Sequence, residues 1–131
     1  MYTNRLDQEE REKFLELIYK LASCDGAIDE EELELIQEYQ RELSVEDIPD
    51  TDSLSGLACY FGEKDLKVRK TVLFEVCQII LSDHNVGENE QKAFDYIKKV
   101  LALDPQVTED IVSVANDLKI IRDRIYDLIS I

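Results

Sequence analysis

Asp25-Gly26-Ala27-Ile28-Asp29-Glu30-Glu31-Glu32 is the stretch that decides the fold. Asp25-Gly26 is a turn signal. Asp29 and Glu32 have the spacing of a capping box, in which the aspartate caps a new helix and the glutamate reaches back to the cap's own N–H. Before the stretch, Phe14, Leu17, Ile18 and Leu21 recur at helical spacing; after it, Leu35, Ile36, Tyr39 and Leu43 do the same. The stretch therefore joins two amphipathic helices. Shifted by 58 residues, the chain lands on itself. Phe14 meets Val72, Ile18 meets Val76, Leu21 meets Ile79 and Asp25 meets Asp83. Ile28 then meets Val86, Glu32 meets Glu90, Ile36 meets Phe94, Tyr39 meets Ile97 and Leu43 meets Leu101. Apolar matches follow from any two helical hairpins, but acids matched in the same frame point to a duplicated hairpin. One hairpin cannot bury its own apolar face, and two can bury each other's.

Working outward, the first helix starts after Asp7, with Glu10 completing a second capping box, and stops near Cys24. The second starts after Asp29 and ends before the loop Ser44-Val45-Glu46-Asp47-Ile48-Pro49. A short third helix covers Asp52 to Phe61 and is ended by Gly62. A fourth runs from Leu66 to Ser82 with Val72, Val76, Ile79 and Ile80 inward, and a fifth from Gly87 to about Leu101 with Phe94 and Ile97 inward. Asp104-Pro105, a cap followed by a proline in the first turn, opens the last. Two prolines and four glycines in 131 residues suit long helices better than a many-turned β fold. The expectation is an all-α single domain over 1–131, a bundle of about six helices without strands. Repeat one covers about 8–45, repeat two about 66–103, and a C-terminal helix about 105–129.

That last helix carries Val107, Ile111, Val114, Leu118, Ile121, Ile125 and Leu128, a heptad pattern. Such a pattern fits a homodimer seam, or a helix laid along its own bundle, since bundles pack with the same geometry. The second reading is the expectation.

The chain has 30 acids and 15 bases, a net charge of −15, and the charge is lopsided. Residues 25–52 hold 12 acids and only Arg41. Such a surface repels phosphate backbones, which argues against nucleic-acid binding, and attracts a basic protein partner or divalent cations. No apolar run reaches the length of a membrane span, and the polar, acidic start from Met1 to Glu10 does not read as a signal peptide. A cytoplasmic protein is expected. Cys24, Cys59 and Cys77 are odd in number, form no Cys-x-x-Cys and sit beside apolar residues, so they read as buried free thiols.

The same residues resemble a known family. Asp25 to Glu32, between two amphipathic helices, resembles the turn motif of the TerB-like, tellurite-resistance-associated domains. Ser82-Asp83-His84-Asn85-Val86-Gly87-Glu88-Asn89-Glu90 looks like its second copy, departing at His84 where the family prefers glycine. Leu101-Ala102-Leu103-Asp104-Pro105 is similar to the family's ending after that copy. The resemblance covers residues 14 to about 105. It implies an all-α bundle with pseudo-twofold symmetry in a bacterial cytoplasmic protein, sometimes linked to membrane-associated stress-response complexes. Related domains occur in membrane-tethered J-domain co-chaperones, where they look like interaction modules, and family acids have been proposed as metal chelators. Nothing in the resemblance implies an enzyme.

Asp25, Gly26, Ile28 and Glu32 also imitate the second half of a calcium-binding EF-hand loop. The first and third ligand positions would then be Leu21 and Ser23, and in the second copy Ile79 and Leu81. Leucine and isoleucine cannot ligate calcium, so an EF-hand is rejected. His84 has no second histidine or cysteine with which to hold zinc, and Ser23, Ser82 and Cys24 have no neighbouring histidine as a base, so no enzyme is expected. Two functions follow. One is an acidic scaffold for a basic protein partner, docking on residues 29–52 with Glu34, Glu38 and Glu42. The other is a site for magnesium, calcium or manganese built from Asp25, Glu32, Asp83 and Glu90. Glu32 and Glu90 each stand four residues before an inward residue, Ile36 or Phe94, and so belong to the buried stripes. A simpler role competes: the glutamates complete caps and the aspartates hold turns, without metal.

Overall fold

The computed structural model describes residues 5–24, 26, 28–82 and 87–130. They form six helices: α1 (Gln8–Ala22), α2 (Glu30–Leu43), α3 (Leu54–Gly62), α4 (Leu66–Ser82), α5 (Glu88–Leu101) and α6 (Pro105–Ile129). Among the described residues there is no strand, so the all-α bundle expected from the sequence is the one that forms. Asp7 and Asp29 each close a full capping box, with Glu10 and Glu32. Each satisfies orphan N–H groups and contributes about 1 kcal/mol. The third helix begins at Leu54 rather than Asp52. Its cap is Ser53, whose side chain accepts from Gly56 N, while the Asp52 N–H donates to Glu16 at 2.8 Å.

The helix covered most completely is α4. Val72, Leu73, Glu75, Val76, Cys77, Gln78, Ile79 and Ile80 are all buried in it, and it touches each of the other five helices. Opposite it α1 buries Phe14, Leu15, Leu17, Ile18, Leu21 and Ala22. Phe14 meets Tyr39 of α2 edge to face, with ring centroids 5.4 Å apart. The two hairpins, α1–α2 and α4–α5, share details at the same shift of 58. α2 and α5 both have 14 residues. Both end on a left-handed residue, Ser44 at φ 58° and Ala102 at φ 49°. Arg11 Nε donates to Leu6 O at 2.9 Å and Arg69 Nε to Lys64 O at 3.0 Å.

Buried polar groups hold the joints. Glu16 accepts from the backbone N–H groups of Thr51 (2.9 Å) and Asp52 (2.8 Å), pinning the loop between α2 and α3 to α1. Tyr39 OH donates to Glu75 in the interior between α2 and α4. Burial, together with the Glu75 charge, pushes the Tyr39 phenol well above its usual pKa. One turn further along the same face of α4, Arg122 Nη1 of α6 donates to Gln78 Oε1 at 2.6 Å.

Two expectations are corrected. The heptad helix lies along its own bundle only at its root. In α6 Ile111 and Leu118 are half-buried and Ala115 fully buried, but Val114, Ile121, Ile125 and Leu128 are exposed, as is every residue from 121 to 130. The physical reason is length: α6 has 25 residues and α4, which it covers, has 17. The thiols are not uniformly buried either. Cys77 is buried, Cys24 half-buried and Cys59 exposed. Leu57, Ala58 and Phe61 take the inward face of α3, which turns Cys59 outward despite its apolar chain neighbours.

Alanine normally beats glycine in a helix by about 1 kcal/mol. At Gly62 the sign should reverse, because an added Cβ would stand 2.7 Å from the Val100 carbonyl oxygen of α5. Gly62→Ala should therefore lower stability by about 1–3 kcal/mol in urea denaturation; an unchanged or raised midpoint would contradict this packing. Thiol titration of the folded protein should label Cys59 rapidly and Cys77 only on unfolding. Equal rates for the two would refute the burial pattern.

Candidate functional site

Glu32 and Glu90 are each the third residue of their helices, α2 and α5. Both are buried, at 2% and 3% exposure, although a lone glutamate is rarely found inside. The helical period puts them there. Each stands one turn before a buried residue, Ile36 or Phe94, on the stripe that packs the hairpins together. The structure brings the two carboxyl groups side by side: burial and the adjacent Glu90 carboxyl push the Glu32 carboxyl up to about 8. The shift favours the protonated form of Glu32, because two like charges so close resist ionising together.

The capping role predicted for these glutamates is half of what is seen. Glu32 N donates to Asp29 Oδ1 at 2.7 Å, and Glu32 Oε1 accepts from Asp29 N at 3.4 Å. That accounts for one oxygen of Glu32. Oε2 is buried and has no hydrogen-bond partner among the described residues. In the second hairpin the cap residue is Gly87, which has no side chain to take part. The two aspartates of the expected four-acid site, Asp25 and Asp83, lie outside the described residues, as does His84. Among the described residues no three metal-ligating side chains come together. The arrangement on view is thus a carboxylic acid–carboxylate pair. It can share a proton, or hold a small hard cation if further oxygens from carbonyls, water or the two turn aspartates complete the shell.

The acidic surface of α2 is where the sequence places it: Glu30, Glu31, Glu34, Glu38 and Glu42 are exposed. It is less free than the sequence suggests. Glu31, Glu34 and Glu38 line one wall of an open cleft of about 800 Å³ whose other wall is Lys119, Arg122, Asp123 and Tyr126 of α6. Two bases thus stand across from this acidic ladder, Lys119 paired with Asp123 and Arg122 bonded to Gln78, with Asp127 beside them. The sequence reading missed both the Tyr39–Glu75 bond and the Glu16 clamp. A signal for the first was present: Glu75 interrupts the apolar run Val72-Leu73-Phe74-x-Val76-Cys77, where an acid must be either exposed or partnered. Glu16 left no such mark, because its partners are backbone groups of a distant loop.

Comparison of the chain with family profiles, with curated proteins and with solved structures gives no match.

The raised Glu32 pKa fixes a direction of pH dependence. Unfolded, the group titrates near its ordinary 4.5; folded, near 8. Between these values the native chain holds more protons than the unfolded one, so stability falls as pH rises through this window. Glu32→Gln can still complete the capping box. It should be more stable than the parent at pH 9 by on the order of 1–3 kcal/mol, the cost of an unsatisfied buried polar group, and this advantage should vanish by pH 5. Denaturant midpoints across this range check it. An equal loss of stability at both pH values would show that Glu32 acts only as a cap.

Proposed function

We propose that the chain is a non-enzymatic protein-interaction module of the TerB-like kind, built from a duplicated helical hairpin. The observation that carries the interaction reading is the overhang of α6. Ile121, Ile125, Tyr126, Leu128 and Ile129 are 50–77% exposed on one helix, an apolar face that nothing in the bundle covers. Scattered surface leucines need no explanation, but a contiguous apolar face on one element marks an interaction site. Duplication is supported by features a shared helical period does not force: left-handed ends at Ser44 and Ala102, and arginines Arg11 and Arg69 bonded alike. The resemblance puts such a module in the bacterial cytoplasm, in a stress response of the tellurite-resistance type. No described helix is long and apolar enough to cross a membrane.

Two surfaces compete for a partner, the overhang and the acidic ladder of α2. A basic partner on α2 would meet Lys119 and Arg122 across the cleft, which favours the overhang. The test uses two variants, Ile121→Asp/Ile125→Asp and Glu34→Lys/Glu38→Lys/Glu42→Lys, beside the parent, as bait in cells of the source organism. Loss of bound protein with the first variant alone is the expected result. Loss with the second alone, with a salt-sensitive complex, would move the site to α2. Retention by both would place the site on neither surface, and a parent bait that captures nothing would refute the interaction reading.

A second reading has its own observation. The buried Glu32 carboxyl beside Glu90 supports a divalent cation shared by the hairpins, magnesium, calcium or manganese, with Asp25 and Asp83 as further ligands. Isothermal calorimetry and thermal melts with each metal should show stabilisation of the parent and none of Glu32→Gln/Glu90→Gln. Identical melts of the parent with and without metal would sink this reading.

A further inference from the structure

We propose that the occupant of the exposed α6 face is a second copy of this chain, the two α6 helices pairing antiparallel about their midpoints. The inference rests on the interaction reading and names its partner. The heptad positions along α6 divide in two. At the root, Ile111 and Leu118 turn half toward the bundle, leaving Val114 open beside them. On the overhang, Ile121, Ile125 and Leu128 carry the seam on with no cover. The two halves complement each other. In an antiparallel pair, Leu118 of one copy meets Ile121 of the other, Val114 meets Ile125, and Ile111 meets Leu128. Each overhang then covers the half-open root of the other helix, and twofold symmetry repeats every contact.

Charge selects the direction. Asp117 and Arg124 are seven residues apart, on the solvent-side flank of the seam, and both are exposed. In an antiparallel pair like flanking positions face each other, so Asp117 of each copy lies opposite Arg124 of the other, giving two ion pairs from one symmetric contact. A parallel pair would instead set Asp117 opposite Arg122 of the other copy, and Arg122 is already turned inward to Gln78 at 2.6 Å. Long-range repulsion acts in the same sense. Each chain carries −15, concentrated in its first half. A parallel pair would set the two bundles side by side, whereas an antiparallel one sets them at opposite ends of a helix about 37 Å long at 1.5 Å per residue. A basic partner protein would find the flanks of this seam mixed in sign, with its strongest attraction elsewhere on the molecule.

Sedimentation equilibrium of the full chain tests the proposal, with circular dichroism confirming that each variant folds. The parent is expected to be a dimer that Ile121→Asp/Ile125→Asp converts to monomer. Asp117→Arg and Arg124→Asp should each weaken self-association about tenfold, since each places like charges opposite one another twice. Mixing the two single variants should restore the parent affinity, because the heterodimer has an Arg facing an Asp at both places. A parent that stays monomeric at every concentration overturns the proposal, while the bait experiment above still decides the interaction reading by itself. A dimer that Arg124→Asp leaves unweakened, or a mixture that shows no rescue, also overturns it.

Discussion

The constraint on which the rest of this structure depends is that α4 must be covered on every side. Its middle has almost no outward face. Residues from Val72 to Ile80 are buried with the partial exception of Phe74, and even Glu75 and Gln78 are turned inward. A helix that is apolar nearly all round cannot sit on a surface. Every other helix accordingly touches it, and Glu75 and Gln78, the acid and the amide it carries inward, each meet a partner from outside, with Gln78 Nε2 left buried without one among the described residues. Tyr39 of α2 bonds Glu75, and Arg122 of α6 bonds Gln78. Removing either partner would leave a buried polar group without its bond, a loss far larger than the net worth of the bond itself. These two contacts fix α2 and α6 against α4, and so place the cleft between the α2 acids and the α6 bases.

The same constraint explains why α6 is amphipathic in two ways. Near its root it needs a stripe to cover α4, supplied by Ile111, Val112 and Ala115. Past the end of α4 that need disappears, yet apolar residues continue through Ile121, Ile125, Leu128 and Ile129 at 50–77% exposure. Folding alone would leave those positions free to be polar. Their apolar character is what the proposed contact outside the chain accounts for. The buried glutamates raise a parallel question at the hairpin junction. A cap needs only one oxygen of Glu32, and the fold would be satisfied with glutamine at that position. Retaining two acids, Glu32 and Glu90, at a dry junction sets a proton-dependent term into the stability of the bundle.

Much of this was legible in the sequence, for identifiable reasons. Helix bounds followed from caps: Asp7, Asp29 and Asp104-Pro105 start helices where side-chain chemistry requires it. The inward position of Glu32 and Glu90 followed from the helical period alone. Three things did not follow. Period does not say how long a neighbouring helix is, so the point where α6 leaves the bundle was invisible, and the heptad was expected to lie on the bundle throughout. Chain neighbours do not report the outward face of a short helix, so Cys59 was misjudged. Pairings between distant groups, such as Glu16 with the backbone of Thr51 and Asp52, leave no local pattern to read.

The central claim is that residues 121–130 are ordered by a contact beyond the chain and not by the bundle. Amide hydrogen exchange of this segment at several protein concentrations tests it most directly. An uncovered helix end frays at little cost, so in dilute solution the segment should exchange quickly while α4 stays protected, and its protection should rise with concentration as partners meet. Slow exchange in 121–130 that is independent of concentration and matches the core would contradict the account, because it would mean that the chain itself covers the end of α6.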